Sequence, residues 1–288
     1  MKSWINLVNE VYGGFLEDDG WAIASHIALS MLTSLFPFLI FVTSLAGFFG
    51  SKELADEAAA LLFESWPQKV AAPIAAEIHN VLTQTRGGLL TIGGFLALYF
   101  SSSAIEALRI GLNRAYDAHE TRAWWLLRLE SVAYVIVGAA TLLLLALLVV
   151  FAPLIWLKIL DYAPALAPLW TVLTLSRFLI TSIALVATLT IAHKWLPASR
   201  RRFRDIWPGI ALTLALSLGF AEGFGQYLAE FARNYVSTYA GLASVMIALV
   251  FLYSLAAIFL LGGELNAALL RRRAVPLPVI VDPSKNPD

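Results

Sequence analysis

The chain has 288 residues, 59% of them hydrophobic and only 14% charged, with Lys+Arg and Asp+Glu balanced at 20 each. Charged residues are well below the roughly 25% of soluble domains, which, with several apolar runs of about 20 residues, excludes an ordinary soluble fold and defines an all-α, polytopic membrane protein. The zero net charge gives no global attraction for nucleic acid, and the lack of cysteine removes disulfides, thiolate metal sites and a thiol nucleophile.

Residues 1–20 contain no continuous apolar segment of the cleavable-signal kind. Trp4, Leu7, Val8, Val11, Tyr12 and Phe15 recur at helical spacing, which predicts a cytoplasmic amphipathic segment lying in the membrane interface or packed on the bundle. A six-helix membrane domain is expected over 21–268, opening with a span over about 21–50. At 1.5 Å per residue that span is on the order of 45 Å long, against a hydrocarbon core of ~30 Å, so it must tilt, kink or protrude. Pro37 is the expected kink, with Ser30, Thr33 and Ser34 placed to satisfy the backbone it frees. His26, near the start of this helix, reads as an interhelical hydrogen-bond partner or as a proton carrier.

Residues 51–87 are too charged to span and read as an extracytoplasmic loop of two amphipathic helices broken near Pro67 and Pro73. Further spans are expected at about 88–112, 131–154, 171–193, 208–230 and 241–268. A basic and then proline-rich cytoplasmic tail, 269–288, closes the chain. Six spans put both termini on one side. With this threading, fourteen Lys and Arg residues fall on the side of the termini and six on the other, so the positive-inside rule makes both termini cytoplasmic.

The 88–112 span carries the polar stripe Ser102, Glu106, Arg109 and Asn113, spaced to stack along one helical face. The rest of that helix is as apolar as lipid, so the stripe must face protein or a water-filled cavity. Glu264 and His26 fall at about the depth of Glu106, with Asn266 nearer the cytoplasmic headgroups and Glu222 and Gln226 outside the midplane. Two readings stand for these residues. As interhelical glue, Glu106 would pair with Arg109 or Asn113, Glu264 would cap a helix end and Glu222 would bond a neighbouring helix. As a polar pathway, the same side chains would line a route between helices.

Several segments carry a family resemblance. They are Ser34-Leu35-Phe36-Pro37, the Gly88–Tyr116 stretch with its serines, Glu106 and Asn113, and Leu196-Pro197 followed by basic residues. Trp207-Pro208-Gly209, Leu252-Tyr253 and Gly262-Gly263-Glu264-Leu265-Asn266-Ala267 complete the set. In this order they resemble the YihY/BrkB family of bacterial inner-membrane proteins, once named ribonuclease BN. The sequence departs from the family pattern at Tyr239-Ala240-Gly241 and at His26, where an aromatic residue is common. The resemblance implies six transmembrane helices and the bacterial cytoplasmic membrane; it implies no settled activity.

Nuclease chemistry needs clustered metal ligands or a paired acid and base beside a basic groove, and His26, His79, His119 and His193 are scattered over different segments. Asp117, His119 and Glu120 share one loop and read as a solvated turn. Arg200, Arg201, Arg202 and Arg204 form a basic run read as contacting anionic lipid headgroups. No enzyme, cofactor, metal site or nucleic-acid partner is expected. The chain reads as a transporter or flippase-like carrier of an anionic lipid or lipid-linked envelope precursor. With no Walker P-loop, an ion gradient or a partner protein would drive it. The alternative is a non-catalytic membrane scaffold for envelope enzymes.

Overall fold

In lipid, a backbone must satisfy its own hydrogen bonds, so apolar runs of this length have the α-helix as their only open solution. The computed structural model describes residues 2–49, 87–199, 201–239 and 241–274. The predicted loop from 51 to 86, Arg200 and the tail beyond 274 lie outside the described residues. The described residues are helical and contain no strand. In chain order they form α1 (Lys2–Glu17), α2 (Gly20–Phe49), α3 (Gly87–Ala115) and α4 (Trp124–Leu145). A π-helical turn (Ala146–Phe151), α5 (Ala152–Tyr162), a 3₁₀ turn (Pro164–Leu169), α6 (Trp170–Trp195), α7 (Phe203–Tyr239) and α8 (Gly241–Ala274) follow.

Five stretches among the described residues are long and apolar enough to cross a bilayer: Thr91–Ala115, Trp124–Val149, Pro164–Trp195, Phe203–Glu230 and Val245–Arg273. The expected count of six is therefore not reached by these. The first expected span coincides with α2, a 30-residue helix whose side chains are described only in part. Boundaries also differ from the sequence reading. The third span starts at Trp124, seven residues earlier than expected, and the fifth at Phe203 rather than Pro208.

Local chemistry explains the irregular points. Pro153 lacks an N–H, and its ring would clash with the carbonyl four residues back; the wider π-helical turn immediately before it accommodates this. Pro37 stands inside α2, which stays helical on both sides of it. The expected rescue by hydroxyls is not what occurs. Thr33 Oγ1 donates to the Leu29 carbonyl (2.7 Å) and Ser34 Oγ to that of Met31 (2.6 Å), each closing on its own preceding turn. Asp19 (φ 57°) and Asp117 (φ 48°) take the left-handed conformation just beyond the ends of α1 and α3, where a short polar side chain is tolerated and the helix can turn back.

Helix α8 is the centre of the bundle and packs against α7, α2, α1 and α3, while α3 lies along both α2 and α4. Burial is concentrated at the arginine-rich end. Phe15, Ile27, Leu112, Leu196 and Ile206 are fully enclosed there, with Ala256, Leu260 and Ala267 of α8 between them. Close approach makes this possible. A Cβ on Gly209 would collide with the Gly262 carbonyl and one on Gly262 with the Thr213 hydroxyl, so α7 and α8 cross backbone to backbone.

Helix α1 has two apolar faces. Leu7 and Val11 pack on Ala268 of α8, and Phe15 joins the main core. Trp4, Ile5, Val8 and Tyr12 are exposed on the other face. The first of these faces fits packing on the bundle, one of the two expected placements.

Candidate functional site

Two members of the α3 stripe, Glu106 and Arg109, meet α4, the helix that turns back along it. Ser102, Arg109 and Asn113 are buried, while Glu106 is partly exposed. Ser102 Oγ donates to the Tyr99 carbonyl at 2.8 Å. Glu106 pairs with Arg128 (2.8 Å), not with Arg109 or Asn113 as the glue reading expected, because α4 presents Arg128 beside it. Arg128 also covers the Tyr99 ring at 4.3 Å. Arg109, only 3% exposed, donates through one Nη to the Leu127 carbonyl (3.1 Å) and to Ser131 Oγ (3.0 Å), and Glu130 stands 3.9 Å away. Its Nε is buried without a partner.

Asn113 links this stripe to the loop that follows. Its amide donates to Glu120 (3.3 Å), and its oxygen accepts the backbone N–H of Ala198 (2.7 Å) in the turn between α6 and α7. Arg122 then joins three segments. It bonds both oxygens of Glu120 (2.8 and 2.7 Å), Glu130 of α4 (2.8 Å) and the Leu196 carbonyl (3.2 Å). The Arg122 hydrogen bonds hold the Glu120 carboxyl down at about 2, and the same bonds raise the Arg122 guanidinium. Asp117, His119 and Glu120 are all exposed, as the solvated-turn reading expected, and Glu120 in addition is ion-paired with Arg122 as a clamp. A cavity of about 320 Å³ opens behind this clamp, walled by Tyr134, Val137, Ile191 and Trp195.

Asn266 builds a second junction. Its Oδ1 accepts the Gly209 N–H at 2.6 Å and its Nδ2 donates to the Tyr116 hydroxyl at 3.2 Å, joining α8, α7 and the end of α3. Burial pushes the Tyr116 hydroxyl up to about 12. Arg201 lies over the Tyr116 ring (4.8 Å) and donates to the Tyr116 carbonyl (3.4 Å). Arg201, Arg202, Arg204, Asp205 and Arg273 surround an open cavity of about 680 Å³, and Arg273 pairs with Asp205 at 3.2 Å.

The three carboxylates named from the sequence lie in three surroundings. Glu106 faces Arg128 on α4. Glu264, 2% exposed, packs under Gly14 of α1 with Arg271 beside it and a carboxyl–carboxyl hydrogen bond to Asp18. Glu222 accepts from Gln226 at 2.9 Å on an exposed face of α7. His26 is exposed on α2. Sequence reasoning gave no site role to Arg122, Glu130 and Arg273, and marked Tyr116 only as part of a family-matching stretch. Nothing in local spacing marks them, since each acts across elements distant in the chain.

Membrane-crossing helices packed around a central glycine-containing helix, with ionisable side chains enclosed at one end, define a multi-pass helical membrane protein. The chain belongs to the virulence factor BrkB family, whose model matches residues 11–279. It is also similar to the ribonuclease-like protein YfkH of Bacillus subtilis (strain 168), with 26% identity over 272 residues that cover 94% of this chain and 98% of that protein. No solved structure matches it.

Proposed function

We propose that the chain is a carrier, flippase-like in action, for an anionic lipid or lipid-linked envelope precursor in the bacterial inner membrane, with both termini cytoplasmic. One observation carries this reading. Arg109 and Glu264 are enclosed within apolar spans, and Arg109 keeps its buried Nε without a protein partner among the described residues. An intramembrane charge costs about 2.5–3.5 kcal/mol on insertion scales, so a group retained there and left incompletely bonded suits contact with a polar ligand or an ion. The arginines at the same end supply the attraction for an anionic headgroup.

The test is movement of a fluorescent anionic lipid between leaflets of liposomes holding the purified chain. Faster exchange than in empty liposomes, lost in Arg109→Gln and Glu264→Gln but kept in Glu222→Gln, is the expected result. Exchange at the empty-liposome rate for the unaltered chain would end the carrier reading.

A scaffold for envelope enzymes is the second reading, favoured by the exposed Trp4, Ile5, Val8 and Tyr12 face of α1. A stoichiometric protein partner lost on Val8→Glu would support it. The word ribonuclease belongs to YfkH. Among the described residues here, no three His, Asp or Glu side chains stand close enough to share a metal, and we read the chain as a non-enzyme.

A further inference from the structure

We propose that the arginine-rich end holds a seat for one kind of lipid, whose headgroup ends in a phosphate or diphosphate carrying two or more negative charges. The inference rests on the carrier reading for its lipid occupant. Two cavities share Arg201 as a common wall. The open one, about 680 Å³, is rimmed by Arg201, Arg202, Arg204 and Arg273. The other, about 320 Å³, is lined by Ala115, Tyr116, Ala267 and Leu270 together with Arg201 and the oppositely charged Asp117 and Arg271. An arginine wall beside a slot with these apolar side chains matches a charged head joined to a hydrocarbon tail.

Charge counting selects the headgroup. Among the described residues, Asp205 is the acid in the open cavity, and Arg273 already pairs with it. Arg201, Arg202 and Arg204 have no carboxylate within ion-pair distance among the described residues, and Arg201 keeps a buried Nε without a partner. Three uncompensated guanidinium groups exceed what a phosphodiester head, with one charge, can neutralise. A terminal phosphate or diphosphate supplies the missing charge and the several acceptor oxygens that planar guanidinium forks bind in pairs. The 37-residue helix α7 starts at Phe203, so the positive end of its dipole lies at the same place. Arg201 is fixed for this role by the Tyr116 ring beneath it, and Tyr116 in turn is held by Asn266.

The experiment places the full chain in neutral phosphatidylcholine nanodiscs doped either with farnesyl diphosphate or with phosphatidylglycerol at matched total charge. Native mass spectrometry then counts what stays bound. Retention of the diphosphate should exceed that of phosphatidylglycerol by about tenfold or more, a difference within reach of two or three charge-assisted contacts. The double change Arg201→Gln with Arg204→Gln should abolish the preference, and Lys194→Gln, a cation at the same end but outside both cavities, should leave it intact. Arg204→Gln alone, an exposed position, should lower it in a variant whose fold is not at risk. Equal retention of the two lipids, or an equal loss in Lys194→Gln, would overturn the proposal. Competition by inorganic diphosphate at the same concentration as the lipid would also overturn it, since the slot's apolar side chains would then contribute nothing. Selective retention without movement in liposomes would end the carrier reading and leave the seat standing; movement without selectivity would do the reverse.

Discussion

The side-chain oxygen of Asn266 on α8 receives the backbone N–H of Gly209 on α7 at 2.6 Å, immediately after Pro208 and at the point where the two helices come closest. The same side chain donates to the Tyr116 hydroxyl, so one buried amide fixes three helices. Asn266→Ala leaves two buried polar groups unsatisfied. Each such loss costs about 1–3 kcal/mol, and a lowered unfolding temperature in detergent is the measurement. Asn266→Asp keeps the acceptor for Gly209 and loses the donor to Tyr116, and should fall between the alanine variant and the native chain.

The crossing of α7 and α8 has no room for a side chain. Gly262→Ala would press on the Thr213 hydroxyl and on the Gly209 backbone, and the backbone cannot swing away. Overpacking of this sort costs typically about 1–3 kcal/mol. Combining Gly262→Ala with Thr213→Ala should recover part of the loss, and a double-mutant comparison of unfolding midpoints checks it. Full additivity of the two changes would show that α7 and α8 are not held this way.

Glu106 and Arg109 are three residues apart and differ sharply in surroundings. The Glu106–Arg128 pair is partly exposed, with side chains 35% and 25% accessible, and such pairs contribute about 0–1 kcal/mol. Arg109 is enclosed and bonds α4 at two points. Glu106→Gln should therefore barely change the unfolding midpoint, and Arg109→Gln should lower it clearly. The reverse order would contradict the packing of α3 on α4.

The Glu120–Arg122 clamp gives a pH dependence of definite sign. The Glu120 carboxyl is held at about 2, chiefly by its hydrogen bonds from Arg122, below its ordinary value of about 4.3. The clamp's contribution is complete above the ordinary carboxylate range and is lost as the pH falls from about 4 towards 2. Protection of the Ala198 and Arg122 amides from hydrogen exchange should drop in that window. In Glu120→Gln that step should disappear, leaving lower protection at all pH values.

Much of the architecture was legible because lipid reduces the choice of backbone to helix, and hydropathy then locates the helices. It was less legible where polar residues belong to a span. Arg128 and Glu130 disguised the first turns of α4, although both pair with other described groups and so enter the helix at little cost. Asn266 and Arg109 could be marked as polar residues in apolar helices. Their partners could not, because Gly209 lies 57 residues from Asn266 and Ser131 lies 22 from Arg109. The role of Arg122 depends on three separate segments meeting, which no spacing within one helix encodes.

The glycines differ in their tolerance of a side chain. A methyl group added to Gly14, Gly20, Gly111, Gly209, Gly262 or Gly263 meets a neighbour at once, while at Gly13, Gly88, Gly138, Gly219, Gly223 and Gly225 it meets open space. Room for an added side chain is therefore scarce where α7 and α8 cross and ample along the later turns of α7. Alanine at Gly219 or Gly223 should lengthen the life of the folded state, since alanine gains about 1 kcal/mol over glycine inside a helix. These are the positions at which the protein can be sturdied, or tagged with a spectroscopic probe, without disturbing the end where its charges are gathered.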